Sequence, residues 1–433
     1  MTNLPDSADG IERVVVIHDF ASPEGGAGVL AIQAAQEYRR RGIPVTYFAG
    51  DIEGAGEGLE GIDLVGLHAT RLLDTSPGRA MIQGFHNRAA HNSLKGWIAK
   101  NDTDHTVYHL HNWSQILSPA IFTALRGVED RLVVTCHDFF NICPNGGFTN
   151  FPRSQPCDLK PLSLRCLASQ CDRRSSLHKY WRVARQLHLN RLAHPVRSKA
   201  TFTFLHDRMQ AKFVNNGFSA RRMVTIPNPV EPWSSVRIPA EYNRDFLFVG
   251  RLGSDKGTDL AVAACIQAGV PLTLVGGGEL EAGLRAAGGE LCFAGWCNRA
   301  EILAHASRAR ALIVPSRVVE PFGLVIVEAA MSGLPVIVSE RAYLAGDCQR
   351  LGFGQSFDPA QPRSLDELVE KIATDDATVA RMSGNGFAHA GKLALSVPEW
   401  SERFIGLFRN TVAERQTTSR QLRTAGTPFV SFQ

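Results

Sequence analysis

The feature that most constrains the fold is a repeated alternation of short β-rich runs with longer helical patterns. The runs are 14–18, 45–48, 64–67, 107–110, 132–136 and 202–205, and then 246–249, 272–275, 291–293, 312–314 and 336–338. This alternation is typical of βαβ units that build a parallel sheet. The sequence therefore predicts an α/β protein with two Rossmann-like, doubly wound domains. In such folds ligands bind at the carboxyl ends of the strands, and we expect the site in a cleft between the domains.

The domain boundaries follow from a proline-rich interruption between the two series of strands. Four prolines, Pro227, Pro229, Pro232 and Pro239, break the pattern there. At 433 residues the chain is also too long for one ordinary core. We predict a first domain over 1–225, a linker over 226–243, a second domain over 244–397, a terminal helix over 398–415 and a disordered tail over 416–433.

Composition narrows the class of protein. The chain is 44% apolar and 20% charged, as in soluble globular proteins. No apolar run approaches the roughly 18 residues of a membrane span, and the first ten residues are polar and acidic, unlike a signal peptide. We expect a cytoplasmic protein. A net charge of +4 is mild for this length and does not indicate nucleic-acid binding.

Four cysteines crowd into a segment of about 140–175, which we interpret as an insertion in the first domain. They are Cys143, Cys157, Cys166 and Cys171, with 13, 8 and 4 residues between them. Four thiols over such a stretch could bind structural zinc, although no close Cys-x-x-Cys pair is present. Reduced cysteines that pack an ordered insertion are the alternative.

Two carboxylates flank a Pro-Phe-Gly turn in the second domain. A buried strand ends at Pro315, so Glu320 falls in the following loop. Pro321 suits the first position of a helix, which would carry Glu328 about two turns further on. A helix start also offers free backbone N–H groups to an anion. The segment therefore predicts a site for a polyol ligand that carries phosphate.

Two cations and a glycine cluster follow earlier strands of the same domain. Arg251 and Lys256 come directly after the strand at 246–249, where together they could hold a diphosphate without a divalent metal. Solvated loop charges are the alternative reading. Gly276 and Gly278 follow the next strand and would let a ligand approach the backbone.

These motifs, taken together, resemble glycosyltransferase family 4 in order and spacing over nearly the whole chain. The segments that carry the resemblance are Gly250-Arg251-Leu…Lys256-Gly257, Gly276-Gly-Gly278 and Glu320-Pro-Phe-Gly-Leu…Glu328. The resemblance implies the GT-B fold and transfer of a sugar from a nucleotide-sugar donor with retention at the anomeric carbon. The donor side would comprise Gly26, Gly28, Gly250, Gly276, Gly278, Phe322, Gly323, Leu324 and Glu328.

The resemblance also implies individual roles. Arg251 and Lys256 would grip the donor pyrophosphate, and Glu328 would bond the ribose hydroxyls. Glu320 would address the transferred sugar, together with backbone N–H groups near Phe322 and Gly323. The segment after Ser339 departs from the glycine-rich turn of many members, so sugar contacts from that loop are not carried over.

A glycine loop after the first strand has two readings. In the family, the loop that contains Gly26 and Gly28 helps to bind donor phosphate, and a helix would follow it from about 29 to 41. The alternative is a dinucleotide fingerprint, with Asp51 as the ribose-binding acid. The spacing argues against that alternative, since seven residues separate His18 from Gly26.

Histidines stand at the ends of two predicted strands. His109 and His111 lie at the end of one, and His137 with Asp138 follows the other. The resemblance implies that His137 approaches the donor sugar as a catalytic group, while His111 and Asp138 shape the acceptor side. Histidines satisfied by partners in strand-end loops are the alternative.

A basic segment without acids runs from Arg173 to Lys199 and predicts a helix with aromatic residues. Through Arg182 and Arg185 it could meet an anionic lipid-linked acceptor or the membrane surface. An ordinary helix with a solvated basic face is the alternative.

The sequence thus predicts a retaining hexosyltransferase that uses a UDP- or GDP-sugar, needs no cofactor and glycosylates a glycan or lipid-linked acceptor in envelope or polysaccharide synthesis. A catalytically silent sugar-nucleotide-binding protein is the alternative. A glycosidase that used Glu320 and Glu328 as its carboxylate pair would not require Arg251 and Lys256.

Overall fold

The computed structural model describes residues 10–23, 25–53, 58–361 and 363–425. These residues divide into two compact units. The first unit comprises the described parts of 1–144, 180–226 and 398–433, and the second comprises those of 145–179 and 227–397. Within the described residues, none of the helices combines the length and apolar character needed to cross a membrane.

The first unit is built on a parallel sheet of seven strands. These are β1 (Arg13–Phe20), β2 (Val45–Asp51), β3 (Asp63–Gly66), β4 (Thr106–Leu110), β5 (Leu132–Cys136), β8 (Thr201–Phe204) and β9 (Met223–Thr225). The two strands between β5 and β8 do not belong to this sheet. They are β6 (Thr149–Asn150) and β7 (Gln155–Pro156), which form a separate antiparallel hairpin in the second unit. The order in the sheet is β3-β2-β1-β4-β5-β8-β9. Strand β1 is central and almost wholly buried, which matches its run of valine and isoleucine.

The second unit is built on a parallel sheet of six strands. These are β10 (Asp245–Val249), β11 (Leu272–Val275), β12 (Leu291–Gly295), β13 (Ala309–Val314), β14 (Val336–Ser339) and β15 (Gly354–Phe357). The order β12-β11-β10-β13-β14-β15 brings β10 and β13 side by side. Because all six strands are parallel, the loops after β10, β11 and β13 all start at the same end of the sheet, where the strands have their carboxyl ends.

Helices connect these strands. The α-helices are α1 (Gly25–Arg40), α2 (Pro77–Phe85), α3 (Arg88–Asn101), α4 (Ala120–Ala124), α5 (Leu164–Ala168), α6 (Ser176–Leu192), α7 (Asp207–Val214), α8 (Thr258–Ala268), α9 (Glu281–Arg285), α10 (Arg299–Ala306), α11 (Leu324–Met331), α12 (Ala345–Arg350), α13 (Arg363–Thr374), α14 (Asp376–His389) and α15 (Val397–Ala425). Short 3₁₀ helices occupy Leu72–Asp74, Leu125–Arg131, Phe151–Arg153, Ala220–Arg222, Ala240–Tyr242, Ser254–Lys256 and Ala390–Leu393.

Every β-rich run predicted from the sequence is a strand of one of the two sheets, which confirms two parallel α/β units. The sequence analysis missed β9, β15 and the hairpin. Strand β9 has three residues, and β15 reads Gly-Gln-Ser-Phe, which has little β-branched character. Tertiary pairing with β8 and β14 therefore decides these two strands.

Three boundaries differ from the sequence prediction. The cysteine-bearing segment 145–179 groups with the second unit rather than the first. The residues of α15 from 398 onward group with the first unit, and this helix continues to Ala425, through ten residues of the predicted tail. The rest of that tail, 426–433, lies outside the described residues. Helix α1 starts at Gly25, so the predicted glycine loop is its first turn.

A buried arginine connects two elements of the first unit. The side chain of Arg131 is 1% exposed, and its guanidinium donates to both carboxylate oxygens of Asp102 at 2.7 and 2.8 Å. It also donates to the carbonyl oxygens of Thr103 and Thr106 at 2.6 and 2.5 Å. The pair therefore fixes the turn between α3 and β4 against the start of β5.

We expect Arg131→Met to lower the free energy of unfolding of the first unit by about 3 kcal/mol, because it leaves Asp102 without its partner. Chemical denaturation measures this change. Arg40→Met is the matched control, since Arg40 is 62% exposed and pairs with Glu37 on the surface. Its effect should stay within about 1 kcal/mol. Equal effects of the two substitutions would contradict the role of the buried pair.

Candidate functional site

The loop after β10 holds Arg251 in a network of carboxylates. One guanidinium nitrogen of Arg251 donates to both oxygens of Asp255 at 2.6 Å, and the other donates to Glu279 at 2.9 Å. The side chain remains 41% exposed. The arginine is therefore positioned by two acids and still accessible to an anion.

Lys256, five residues further along this loop, pairs with Glu320 of the loop after β13. The distance from Nζ to Oε2 is 2.5 Å, and the carboxylate raises the pKa of the lysine. The Ser316 hydroxyl also donates to Glu320, at 3.4 Å. Two residues that were predicted to bind opposite parts of one donor thus lie in direct contact.

The Pro-Phe-Gly turn differs in detail from its prediction. Helix α11 begins at Leu324 rather than at Pro321, because Gly323 adopts a left-handed conformation with φ of 72° at its N-terminus. Phe322 is 3% exposed and anchors the turn in the core. Glu328 consequently lies about one turn into the helix rather than two. The first N–H groups of α11 still open at the end of β13 that carries Glu320.

Glu328 lies in a largely buried setting. Burial raises its pKa to about 7, while Arg299 and a hydrogen bond from Trp233 act in the opposite direction. The distance from Arg299 to the carboxylate is 3.7 Å, and the carboxylate side chain is 21% exposed. Burial outweighs these two partners, so the structure favours a carboxyl that is partly protonated near neutral pH.

Glycines let the loops of this site pack backbone to backbone. A Cβ on Gly276 would lie 2.1 Å from the carbonyl oxygen of Gly250, and φ of Gly276 is 119°. A Cβ on Gly278 would lie 2.4 Å from the carbonyl oxygen of Leu252. The predicted reason for these glycines was the approach of a ligand. The structure gives another one, which is that the loops after β10 and β11 touch here.

The sequence analysis missed four residues of this unit that hold the predicted ones in place. They are Arg173, Trp233, Glu279 and Arg299. Arg173 comes from the cysteine-bearing segment and lies 2.9 Å from Asp255, so Asp255 bridges two arginines. Charge in a loop after a strand could have signalled Glu279. Trp233 and Arg299 lie outside every predicted motif, and Arg173 belongs to the predicted basic segment, to which no contact with the donor site was assigned.

A chain of hydrogen bonds links the histidines of the first unit. His137 follows β5 and lies 3.1 Å from His111, whose other ring nitrogen lies 3.3 Å from His109. His109 also contacts the hydroxyls of Tyr38 and Thr135, at 3.1 and 2.8 Å. The structure therefore brings the three predicted histidines together.

Burial keeps this histidine chain neutral. Burial, together with a smaller effect of a neighbouring histidine, lowers the pKa of His109 and of His137 to about 3 in each case. The pKa of His111 is also well below its usual value, with burial again the largest cause. Burial raises the pKa of the neighbouring Asp138 to about 6. These imidazoles can thus exchange hydrogen bonds at neutral pH without carrying charge.

The start of α1 lies beside His18, which the sequence analysis did not select. A Cβ on Gly28 would lie 3.2 Å from the carbonyl oxygen of Ser22 and 3.5 Å from His18 Cε1, so only glycine fits easily. His18 is 1% exposed, and among the described residues its Nε2 has no hydrogen-bond partner. Gly26 lies in the same first turn of α1. Free helical N–H groups and an unpartnered imidazole nitrogen together suit an anionic or hydroxylated ligand.

The two arginines predicted for a basic surface on α6 are not equivalent. Arg185 is buried and donates to the carbonyl oxygens of Gly84 and Ser114 at 2.7 and 2.8 Å. It therefore joins α6 to α2 instead of facing an acceptor. Arg182 lies over the ring of Phe140, 5.7 Å from its centroid. The amphipathic pattern failed to separate a structural arginine from a surface one.

The four cysteines do not form a cluster with metal-binding geometry. Among residues 10–23, 25–53, 58–361 and 363–425, no three or more His, Cys, Asp or Glu side chains are arranged to hold a metal ion. Cys143 belongs to the first unit and the other three to the second. All four are reduced cysteines.

Comparison with known proteins identifies the family. The model described as Glycosyltransferase Family 4 matches residues 24–233, and the model described as Glycosyl transferases group 1 matches 233–389. The chain belongs to this glycosyltransferase family. Its fold is GT-B, which confirms the two Rossmann-like domains predicted from the sequence.

Individual relatives agree with this assignment. Glycogen synthase of Mycobacterium tuberculosis is 31% identical over 183 residues, which are 39% of this chain and 41% of that protein. The match thus spans about two fifths of the curated relative. Among solved structures, sucrose-phosphate synthase from Thermosynechococcus elongatus superposes with a TM-score of 0.67 at 19% identity, over 96% of this chain and 100% of that one. The structure of HepE from Anabaena in complex with UDP superposes with a TM-score of 0.62 at 17% identity, over 92% of this chain and 100% of that one.

We expect Glu328→Gln to stabilise this glycosyltransferase in the absence of donor, but only at higher pH. The pKa of Glu328 rises from 4.5 to about 7 on folding, so its ionisation opposes folding. This cost is absent below pH 4.5, grows as the pH rises and is complete above pH 7. The gain at pH 8 should be about 3 kcal/mol.

Thermal unfolding at pH 5 and pH 8 measures the effect. The exposed Glu370 on α13 provides the matched control, Glu370→Gln. A gain of equal size at both pH values, or one shared by the control, would contradict a buried carboxyl at position 328.

Proposed function

We propose that the chain is a retaining glycosyltransferase that moves a sugar from a nucleotide-diphosphate-sugar donor to a hydroxyl of a glycan or glycolipid. The observation that carries the proposal is that Arg251, Lys256, Glu320 and Glu328 all follow strands of the second sheet at the end where the strands have their carboxyl ends. A neutral glycoside would need no such cations. A donor with a diphosphate, a ribose and a sugar uses every one of these groups.

Donor binding would proceed by exchange of ion pairs. Arg251 and Lys256 are both held by carboxylates, so an incoming diphosphate replaces Glu279 and Glu320 as their partner. Exchange conserves charge balance and avoids a bare buried cation. Glu320, released from Lys256, can then accept hydrogen bonds from sugar hydroxyls. With two cations and the N-terminus of α11 available to the diphosphate, we propose that the transfer needs no divalent metal and no other cofactor.

During sugar transfer, negative charge would develop on the leaving diphosphate, next to Arg251 and Lys256. The bond between the anomeric carbon and the diphosphate oxygen breaks, and the acceptor hydroxyl attacks from the same face. Its proton passes to the leaving phosphate oxygen, so the products are a glycoside with retained configuration and a nucleoside diphosphate. Arg251 and Lys256 stabilise the charge that develops on the leaving group. Neither Glu320 nor Glu328 needs to act as a base.

The first unit would serve the acceptor side. We propose that His137 addresses the transferred sugar as a neutral imidazole, consistent with its low pKa. The first turn of α1, with Gly26, Gly28 and the unpartnered Nε2 of His18, offers donors for a phosphate or a hydroxyl. Asp138 and His111 complete this side.

A uridine donor is supported by HepE, whose structure contains UDP. The likeness to that protein is one of fold, and the side chains that would read the base lie in loops without a shared motif. We therefore propose a UDP-sugar first and a GDP-sugar second.

A lipid-linked acceptor is favoured by an apolar surface on α2 and α6. Met81 and Ile82 on α2 are 55% and 73% exposed, and Tyr180 and Leu187 on α6 are 57% and 49% exposed. The two helices are packed together, since the Trp181 indole donates to the carbonyl oxygen of Met81 at 3.2 Å. Exposed basic residues accompany these apolar side chains, namely Arg79 on α2, Arg191 on α6 and Arg88 at the start of α3.

Apolar side chains with basic neighbours are typical of peripheral membrane contacts. We therefore propose that the protein works in the cytoplasm, at the inner face of the membrane, in synthesis of an envelope glycoconjugate or polysaccharide.

A catalytically silent sugar-nucleotide-binding protein is the second candidate. It would bind a donor through the same residues of the second unit but would release no nucleoside diphosphate. The paired histidine chain of the first unit favours the enzyme, because donor binding alone does not require it.

Lys256→Met should lower donor affinity and turnover by about 10²-fold, because it removes a charge-assisted contact to the diphosphate. Thermal shift with a panel of UDP- and GDP-sugars finds the donor, and release of nucleoside diphosphate reports turnover. Lys371→Met, at an exposed position on α13, is the matched control. Donor binding without release from any donor and acceptor would favour the silent binding protein. Unchanged binding in Lys256→Met would contradict the proposed site.

Ile82→Asp should weaken binding to vesicles of phosphatidylcholine and phosphatidylglycerol by about tenfold or more, because it places a charge in the apolar surface. Co-sedimentation at moderate salt measures this. Val236→Asp is the matched control, since Val236 is 72% exposed in the second unit. Arg191→Glu tests the charge contribution. Vesicle binding that both variants leave unchanged would exclude this surface as the membrane contact.

A further inference from the structure

A buried lysine of the second unit lies between two thiols. Lys179 is 1% exposed, and its Nζ lies 3.0 Å from Cys171 Sγ and 3.8 Å from Cys166 Sγ. Both cysteines are 6% exposed. The third thiol of this segment, Cys157, is close enough for both to influence its pKa. The proposed glycosyl transfer uses none of these groups.

The backbone of segment 145–179 holds this arrangement in place. The carbonyl oxygen of Cys171 accepts hydrogen bonds from the Phe151 backbone and from the side chain of Asn145, at 3.4 and 3.2 Å. Ser163 caps α5 by accepting from the Cys166 N–H, which fixes the second thiol. Lys179 lies in the first turn of α6. The contact between Nζ and Sγ thus joins three fixed elements.

The side chains next to the cluster reinforce the same geometry. Asp172, directly after Cys171, lies 2.9 Å from His178, directly before Lys179. This pair ties the turn after Cys171 to the start of α6. An amine and a thiol are therefore held within reacting distance by neighbours on both sides.

We propose that Lys179 and Cys171 form an oxidative modification site, at which dioxygen joins Nζ to Sγ through one bridging oxygen. The thiol and one N–H bond of the neutral amine are broken, and S–O and O–N bonds form. The two hydrogens leave with the second oxygen atom as one molecule of water. Sulfur and nitrogen each lose two electrons, which together supply the four that reduce dioxygen.

The geometry selects Cys171 over the other thiols. Its sulfur is 3.0 Å from the amine, whereas that of Cys166 is 3.8 Å away. Both side chains are buried, so an oxidant as small as dioxygen is the reagent that fits. A sulfenic acid or a disulfide with Cys166 is the competing product.

Trypsin separates the two partners. Cleavage after Arg165, Arg173 and Arg174 places Cys171 in peptide 166–173 and Lys179 in a peptide that starts at 175. The bridge blocks cleavage at Lys179, so the second peptide then extends to Arg182. The full chain is kept in air-saturated buffer or anaerobically with a thiol reductant, unfolded in an alkylating reagent and digested. We expect peptides 166–173 and 175–182 to be joined in air, with one added oxygen and two hydrogens lost, and to separate after reduction.

Three variants make the result specific. Cys171→Ser and Lys179→Arg should each abolish the joined peptides, and Lys179→Arg keeps a nitrogen donor for the two thiols that Lys179 contacts. Cys166→Ser is the matched control and should retain them. A disulfide within peptide 166–173, formed equally in Lys179→Arg, would overturn the proposal. Wild-type protein that yields only separate, alkylated peptides after exposure to air would overturn it as well. None of these readouts depends on glycosyl transfer.

Discussion

The site of the second unit depends on close backbone packing between the loops that leave its sheet. Gly276 approaches the carbonyl oxygen of Gly250, and Gly257 approaches that of Pro315, at distances that any Cβ would violate. These contacts join the loop after β10 to the loops after β11 and β13. Side chains on three separate strands can therefore meet within hydrogen-bond distance. The motif glycines serve the architecture of the site before they serve any ligand.

Charge balance is the second constraint, and it explains why the cations are paired. Arg251 and Lys256 stand close together on one loop, and their mutual repulsion in a partly buried setting would be costly. Asp255, Glu279 and Glu320 offset it. Because these carboxylates belong to the same few loops, the proposed exchange of these partners for a diphosphate would require rotation of side chains and no rearrangement of the sheet. Glu328 differs from these three carboxylates, because it lies in a mostly buried position and does not pair with Arg251 or Lys256.

The strands of the two sheets could be predicted from the sequence, because parallel strands that are buried on both faces are apolar, and apolar runs are visible in a sequence. The roles of Lys256 and Glu320 toward a donor stay predictions, but the sequence did place both residues in loops that follow recognisable strands. It was insufficient for Arg185, since a helical pattern of arginines does not show which one turns inward to the carbonyl oxygens of Gly84 and Ser114. Arg173 illustrates the same limit. Its partner Asp255 is 82 residues away, and nothing local encodes that contact.

The histidine chain of the first unit has two internally consistent arrangements of its hydrogens. In one, His137 donates to His111, which donates to His109, which donates to Thr135. In the other, every donor and acceptor is reversed, so Nδ1 of His137 changes from a hydrogen-bond acceptor to a donor.

The Tyr38 hydroxyl is compatible with both arrangements, because it can donate to His109 Nδ1 when that nitrogen carries no hydrogen and accept from it when it does. Burial removes the charged states that would otherwise mix the two. In the first arrangement the outermost imidazole, His137, keeps its Nε2 hydrogen on His111 and leaves Nδ1 as a hydrogen-bond acceptor. A neutral acceptor at that position can take a hydrogen bond from a hydroxyl without adding charge beside a transition state that is itself charged.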